Sequence, residues 1–329
     1  MAEKLEVKVN QETENFTKKQ REFSASMLTT LFGCPLAFYF QYIKHEKVPQ
    51  SSNLAFGAAI HYMLKLFYER NFKSAESFAN FWKGYWMRKV FLPEFDSNGK
   101  SVKEKGRIVF QRDKNGKFVL NPEIRWFNSE REPFIYMNLG IGILRNFYMR
   151  HKEKPMPFAF EQPFRKVTFR GHLLRGVWDR IDETEEGILI TDYKTNKGCP
   201  IDERELALLH RHPQFTIYSI AFREVYGKTE SGILFYHLRS GKLIKTTRSQ
   251  EDYDYTSSML DKAQKIIEDE DYTPFYGFHC KWCDFLDGPC KTTCIGVNAK
   301  ITSNVIQEKK RLEEFTAWGT EWGEWSEER

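Results

Sequence analysis

The sequence predicts an α/β fold in which a central mixed β-sheet is flanked by helices. Helical spacing begins at Ser24, and residues 158–195 read as three strands separated by turns rich in Gly and Glu. A helical pattern returns at 203–226, and the hairpin pattern of 233–248 leads into a last predicted helix at 253–268. Helices that alternate in this way with short strands are typical of a layered α/β core.

Composition excludes several classes of protein. The chain has 329 residues, of which 41% are hydrophobic and 29% charged, the balance of a globular protein rather than a disordered or fibrous one. There is no run of 18 apolar residues, and the polar N-terminus does not resemble a secretory signal. We therefore expect an intracellular, cytoplasmic protein, or a viral protein that acts in the host cytoplasm, without membrane segments. A net charge of +5 and an aromatic content of 16% permit a nucleic-acid partner without requiring one.

The pattern along the chain predicts three regions. Residues 1–22 are charged and aperiodic, which indicates a flexible tail, and residues 301–329 form an acidic, Trp-rich tail. The domain between them, 23–300, contains a predicted helical lobe at 69–157 and a strand-rich core at 158–250. The lobe is interrupted by a stretch rich in Gly, Lys and Asn.

Two adjacent predicted strands carry carboxylates on apolar faces. Because successive strand residues point to opposite sides, Asp179 should share a face with Val177 and Ile181 in V-W-D-R-I. In I-L-I-T-D-Y-K, Asp192 and Lys194 should likewise share a face with the isoleucines before them. Charges at inward positions are costly unless they are paired or bind a cation.

This arrangement suits the hydrolysis of phosphodiesters. Mg²⁺ or Mn²⁺ prefers oxygen ligands, which Asp179, Asp192 and the backbone carbonyl of Tyr193 could supply, and Lys194 could hold the attacking water. The alternative is a hairpin with a structural ion pair, because Asp-x-Lys is common by chance.

The residues G-V-W-D-R-I-D and D-Y-K-T resemble the PD-(D/E)XK nuclease superfamily, in particular its RecB-like branch. The resemblance implies a restriction-endonuclease-like core and a metal-dependent deoxyribonuclease. It gives His61, in G-A-A-I-H, the role of a metal ligand, and it places the helical Gln-x-x-x-Tyr motif on Gln214 and Tyr218. Glu161 resembles an acidic residue on the first strand that supports the site.

Each of these residues could instead have a purely structural role. His61 shares a helical face with Leu64 and Tyr68, which is typical of a buried core histidine. The Gln-x-x-x-Tyr pair could be a contact on a helix surface. Glu161 has the opposite strand parity to Phe160, which predicts a solvated position.

The cysteines near the C-terminus predict a metal site. Cys280, Cys283, Cys290 and Cys294 lie within H-C-K-W-C-D-F-L-D-G-P-C-K-T-T-C, and four local thiolates could hold one Zn²⁺.

A second possibility uses the distant Cys34. The layout resembles the iron–sulfur RecB-like nucleases, including CRISPR-adaptation and helicase-associated enzymes, in which one upstream and three downstream cysteines hold a [4Fe-4S] cluster. That resemblance implies a cluster region formed by 280–294 with Cys34, and the ligands Cys34, Cys280, Cys283 and Cys290. Cys294 is the alternative to Cys290 as the fourth ligand of the cluster.

Basic residues around the core are candidate DNA contacts. We select Arg175, Arg180, Lys197 and Arg211. In the tail, Trp318, Trp322 and Trp325 recur at helical spacing. They predict either packing on the chain itself or docking to a helicase or a replication or recombination protein.

The leading hypothesis is an exonuclease that acts on DNA ends or single strands in recombination, repair, replication or defence. A non-catalytic DNA-binding or scaffold subunit of a helicase–nuclease complex and a restriction-type endonuclease are the alternatives.

Overall fold

The computed structural model describes residues 21–200, 202–286 and 288–290. Its helices are α1 (Ala25–Gly33), α2 (Pro35–Phe38), α3 (Ser52–Glu69), α4 (Ala75–Val90), α5 (Glu132–His151), α6 (Glu203–His210), α7 (Pro213–Tyr226) and α8 (Gln250–Glu268). A π-helical turn follows α2 at Tyr39–Ile43, and a 3₁₀ turn lies at Phe278–Trp282.

The strands are β1 (Glu22–Phe23), β2 (Gln50–Ser51), β3 (Lys103–Glu104), β4 (Arg107–Ile108), β5 (Ile124–Arg125), β6 (Ala159–Phe169), β7 (His172–Thr184), β8 (Gly187–Lys194), β9 (Gly232–His237) and β10 (Lys242–Thr246). Six of them form one mixed sheet with the order β1-β7-β8-β9-β10, in which β6 also pairs with β7. Strands β8 and β9 are parallel, and α6 and α7 make the crossover between them. The α/β fold with a central mixed sheet is confirmed.

Helices cover both faces of the sheet. On one face α1, α7 and α8 pack against the strands through residues such as Phe222, Leu260 and Ile190. On the other face α3, α4 and α5 pack against Tyr193 and Tyr236 of β8 and β9. Of these three helices, α4 and α5 lie within the range predicted as a helical lobe, whereas α3 precedes it.

The first residues of the core differ from the prediction. Glu22 and Phe23 pair in parallel with Leu173 and Leu174 of β7, although the sequence pattern assigned Glu22 to a flexible tail. The start of α1 is as expected, because the side chain of Ser24 accepts a hydrogen bond from the backbone N–H of Met27.

The interruption between α4 and α5 consists of short hairpins. Two turns have the related sequences D-S-N-G-K and D-K-N-G-K, and in each the aspartate, Asp96 or Asp113, accepts backbone hydrogen bonds from two and four residues ahead. The Asn-Gly pair is a common hairpin signal, and Gly99 and Gly116 both have positive φ. The sequence interpretation recognised an interruption but not these hairpins.

The helix predicted at 203–226 is two helices. His212 has extended backbone angles and caps α7, and Pro213 is the first residue of that helix. A proline restricts the residue before it to extended conformations, so the continuous prediction was wrong at this point.

In the part of the chain that the structure describes, no helix combines the length and the apolar character needed to cross a bilayer. The predicted tail at 1–22, apart from its last two residues, and the Trp-rich tail at 301–329 lie outside the described residues.

Candidate active site

The site lies where β7 and β8 stop pairing. The last paired residues are Arg180 and Thr191, so Asp179 and Asp192 are the next residue on each strand. The carboxylate of Asp179 enters the gap between the strands, where its Oδ2 accepts a hydrogen bond of 2.7 Å from the backbone N–H of Tyr193. Both aspartates are buried, and Asp192 is fully so.

The strand alternation holds for only part of β7. Val177 is 39% exposed, whereas its neighbour Trp178 is buried in the same cluster as Ile181. The prediction that Val177 faces inward with Asp179 was therefore wrong. Alternation is a reliable guide only where a strand stays regularly paired, and β7 exchanges its partners along this stretch.

Helix α3 brings His61 to this gap. Its Nε2 lies 3.1 Å from the carbonyl oxygen of Tyr193, and its Nδ1 lies 3.3 Å from Oδ1 of Asp179. The helix approaches the end of β8 closely, since a Cβ added at Gly57 would lie 3.2 Å from Oγ1 of Thr195. His61 is not a core histidine, because its side chain is 27% exposed and faces carboxylates.

Glu161 completes the group. Its Oε1 lies 3.7 Å from Nδ1 of His61 and is a buried atom without a hydrogen-bond donor. The expectation of a solvated position was wrong. Glu161 has a φ of 44°, a left-handed conformation that interrupts the strand alternation on which the expectation depended.

His61, Glu161 and Asp179 together could hold a metal ion. Each offers one ligand atom, and these atoms all lie within 4.8 Å of one another. Burial lowers the pKa of His61, but the two carboxylates outweigh it and raise that pKa to about 10. Burial raises the pKa of Asp179, but His61 and Lys194 outweigh it and hold that pKa below its usual value. The negative charge of the two carboxylates therefore dominates this pocket and stabilises positive charge within it.

Asp192 is held by Lys194 instead. The ammonium of Lys194 lies 2.9 Å from Oδ1 and 2.7 Å from Oδ2 of Asp192. Burial raises the pKa of Asp192, Lys194 lowers it and Asp179 raises it further, with a result of about 6. Burial lowers the pKa of Lys194, but Asp192 and Asp179 outweigh it, so the ammonium stays charged at neutral pH.

Helix α7 supports Lys194 from the other side. Lys194 also donates to Oε1 of Gln214 over 3.0 Å, and Nε2 of Gln214 donates to the hydroxyl of Tyr218 over 2.8 Å. Tyr218 is only 5% exposed, so this pair is not a surface contact of the helix. Together with Asp192, these side chains form a continuous series of polar contacts from the sheet into α7.

The end of β9 and the turn that follows it hold the chain just beyond Lys194. His237 lies 2.8 Å from the carbonyl of Asn196, and the guanidinium of Arg239 donates to the carbonyl of Thr195 over 2.6 Å. The backbone N–H of Leu238 donates to the carbonyl of Lys194. The sequence interpretation missed His237 and Arg239, because nothing in the local pattern indicates that the turn after β9 meets the end of β8.

The predicted DNA contacts have different environments. Arg180 is 6% exposed, donates to Asp182 through two nitrogens and lies over the ring of Tyr68, so its prediction as a phosphate contact was wrong. Arg175 is half-buried and contacts Met27. Lys197 and Arg211 are exposed. Their roles remain predictions.

The predicted cluster cysteines meet at a second place. Cys34, at the start of α2, and Cys280, Cys283 and Cys290 line one cavity together with apolar residues such as Phe285. Burial raises the pKa of the Cys283 thiol. Cys294 lies outside the described residues.

Comparison with known proteins agrees with this site. The family model of the PD-(D/E)XK nuclease superfamily matches residues 22–287, and the chain belongs to that superfamily. No curated protein matches the sequence. The chain is therefore a metal-dependent nuclease in its general class.

Proposed function

We propose that this protein is a Mg²⁺- or Mn²⁺-dependent deoxyribonuclease of the RecB-like branch that degrades DNA from ends or as single strands. The observation that carries the proposal is the convergence of His61, Glu161 and Asp179 beside a charged Lys194 held by Asp192 and Gln214. A scaffold subunit without catalysis would have no use for such a group.

The donor set suits a hard divalent cation. It contains one imidazole and several carboxylate oxygens, and no described thiolate belongs to the group. The Oε1 atom of Glu161 is buried without a donor, which is costly unless a cation binds there. We assign His61, Glu161 and Asp179 as ligands, with Asp192 and the Tyr193 carbonyl as the further oxygens beside them.

The residues of the site have different roles in the proposed hydrolysis. A bound cation would polarise the phosphoryl oxygens and lower the pKa of the attacking water, so that this water can lose its proton to solvent. Lys194 is a fixed positive charge rather than a base, because its pKa is raised, so it orients the attacking water and stabilises charge on the phosphate. Gln214 positions that ammonium, and Tyr218 positions Gln214.

The test is hydrolysis of end-labelled linear DNA, circular single-stranded DNA and RNA with Mg²⁺, Mn²⁺ or chelator. We expect metal-dependent loss of linear DNA, with circular DNA and RNA resistant. Gln214→Ala should lower kcat by roughly 10-fold without changing metal affinity, since it only positions Lys194. A wild-type chain that cleaves no DNA with either metal would refute the proposal, and cleavage of circles would favour an endonuclease.

We further propose that the cysteine cavity holds a [4Fe-4S] cluster. The four cysteines come from both ends of the domain and line an apolar cavity, as an all-thiolate cluster requires.

A further inference from the structure

An aromatic surface without a role in the metal site lies after α8. Phe278 and Trp282 are 74% and 49% exposed, and their rings pack edge to face with centroids 4.8 Å apart. The ammonium of Lys281 lies 3.7 Å and 4.1 Å from the two ring centroids. Phe275 and Tyr276, just before them, are also exposed. Exposed rings beside a cation are the usual composition of a surface that stacks on nucleic-acid bases.

Arg125 ties this surface to the beginning of α3. Its guanidinium donates to the carbonyl of Trp282 over 3.3 Å and to Asp284, and it lies over the exposed ring of Phe127. Arg125 also pairs with Ser51 in the β2–β5 ladder, and Ser51 is the N-cap of α3. The aromatic surface is therefore next to the N-terminal end of the helix that carries His61.

One open stripe of α3 continues from there to the metal site. Leu54, Ala58, His61 and Lys65 follow one another at helical spacing, and each is exposed or half-buried, whereas the opposite side of α3 is in the core. Leu54 and His61 are seven residues apart, which is about 10 Å along a helix. A strand bound at the rings could reach the cation site along this stripe.

We propose that the aromatic surface, defined as Phe127, Phe275, Tyr276, Phe278 and Trp282, and the stripe of α3 form one track that binds single-stranded DNA and leads it to the metal site. The inference rests on the proposed nuclease function and adds the direction of entry, from the N-terminal end of α3. A duplex keeps its bases inside and cannot stack on these rings, so the track selects unpaired strands.

Stacking rather than phosphate contact supplies most of this binding. Asp284 pairs with Arg125, and the ammonium of Lys281 lies over the rings themselves, so both cations next to this surface already have a partner. Binding should therefore depend on the bases, with a shallow dependence on salt.

The experiment measures fluorescence anisotropy of the full chain in chelator with three probes of equal length: oligo-dT, an abasic strand and a duplex. We expect the wild-type to prefer oligo-dT. Trp282→Ala and Phe278→Ala should each weaken oligo-dT binding by about 5- to 100-fold and leave the abasic strand unchanged. Tyr255→Ala, which removes an equally exposed ring from α8 on the other side of the sheet, is the matched control and should bind like the wild-type.

A small chromogenic phosphodiester with Mn²⁺ separates this proposal from the nuclease proposal, because it needs the metal site but not the track. The wild-type and the Tyr255→Ala control should both hydrolyse it, at the same rate. If the wild-type hydrolyses the diester but binds oligo-dT and the abasic strand equally, the track is refuted and the aromatic surface is left to a protein partner. If the wild-type fails on the diester and on DNA, the nuclease proposal fails instead.

Discussion

The carboxylate of Asp179 accepts a hydrogen bond from the backbone N–H of Tyr193, 2.7 Å away on the neighbouring strand. This bond takes the place of a sheet contact at the point where β7 and β8 part. Asp179 therefore links the two strands where they separate, and its other oxygen, Oδ1, faces His61.

We expect Asp179→Asn to lower kcat/KM by at least ~100-fold with little change in fold, because the amide keeps an acceptor for Tyr193 but loses the charge that binds a cation. Calorimetric titration should show that the variant binds the divalent metal more weakly than the wild-type does. Its free energy of unfolding, measured by thermal denaturation, should differ by no more than about 1 kcal/mol. Full activity in Asp179→Asn would exclude it as a ligand.

The ion pair between Lys194 and Asp192 should contribute to the stability of the fold as well as to activity. Lys194→Ala should lose activity and destabilise the metal-free protein by about 1–3 kcal/mol, because it leaves the buried Asp192 without its counter-ion. Adding Asp192→Asn should recover most of that stability but none of the activity. Urea unfolding of the two variants checks this, and a double variant no more stable than Lys194→Ala would contradict it.

The packing between α4 and α5 depends on one glycine. A Cβ at Gly140 would overlap the fully buried ring of Trp82, so Gly140→Ala should destabilise the protein by about 1–3 kcal/mol. The matched control is Gly142→Ala on the same helix, where nothing lies within 4 Å of the added atom. That variant should gain roughly 0.5–1 kcal/mol from helix propensity. Similar melting temperatures for the two variants would contradict this packing.

His151 gives the protein a defined acid sensitivity. It stacks on Phe147 with centroids 4.0 Å apart, and burial and then Arg180 lower its pKa to about 4, against the hydrogen bond to the Phe147 carbonyl. The unfolded chain takes up a proton near the ordinary value of 6.5, before the folded chain does. The stabilising contribution is therefore complete above about pH 6.5 and is lost as the pH falls towards 4, with a magnitude of about 3 kcal/mol.

The measurement is the free energy of unfolding between pH 4 and 8 for the wild-type and His151→Phe, which keeps a ring against Phe147. We expect a flatter acid limb in the variant. His45→Asn is the control, since His45 is exposed and Asn tolerates its positive φ. Parallel curves for the wild-type and His151→Phe would show that His151 does not carry the effect.

Removal of the proposed cluster should abolish the colour of the protein and lower its melting temperature. Anaerobically purified protein should be brown and contain roughly four iron atoms per chain, and Cys34→Ser should lose both the colour and several degrees of melting temperature. Cys199→Ser, outside the cysteine cavity, is the control. One zinc and no iron per chain would refute the cluster.

The sequence by itself determined the class of fold and the main chemical groups. Helical and strand patterns predicted β6 to β10 and α8 to within a few residues, because short apolar runs separated by turn residues mark these elements locally. The spacing of Asp179, Asp192 and Lys194 indicated a cation site, because carboxylates on buried strands need a counter-charge.

Only the tertiary structure decided which side chains meet. Glu161 joins His61 because a left-handed residue turns it out of the strand alternation, and Arg180 is buried against Asp182 because α3 and the sheet close over it. His237 and Arg239 support the end of β8 from a turn more than forty residues later in the chain. Local sequence reports the period and polarity of a segment, whereas contacts between distant segments depend on how the layers pack, which no local pattern records.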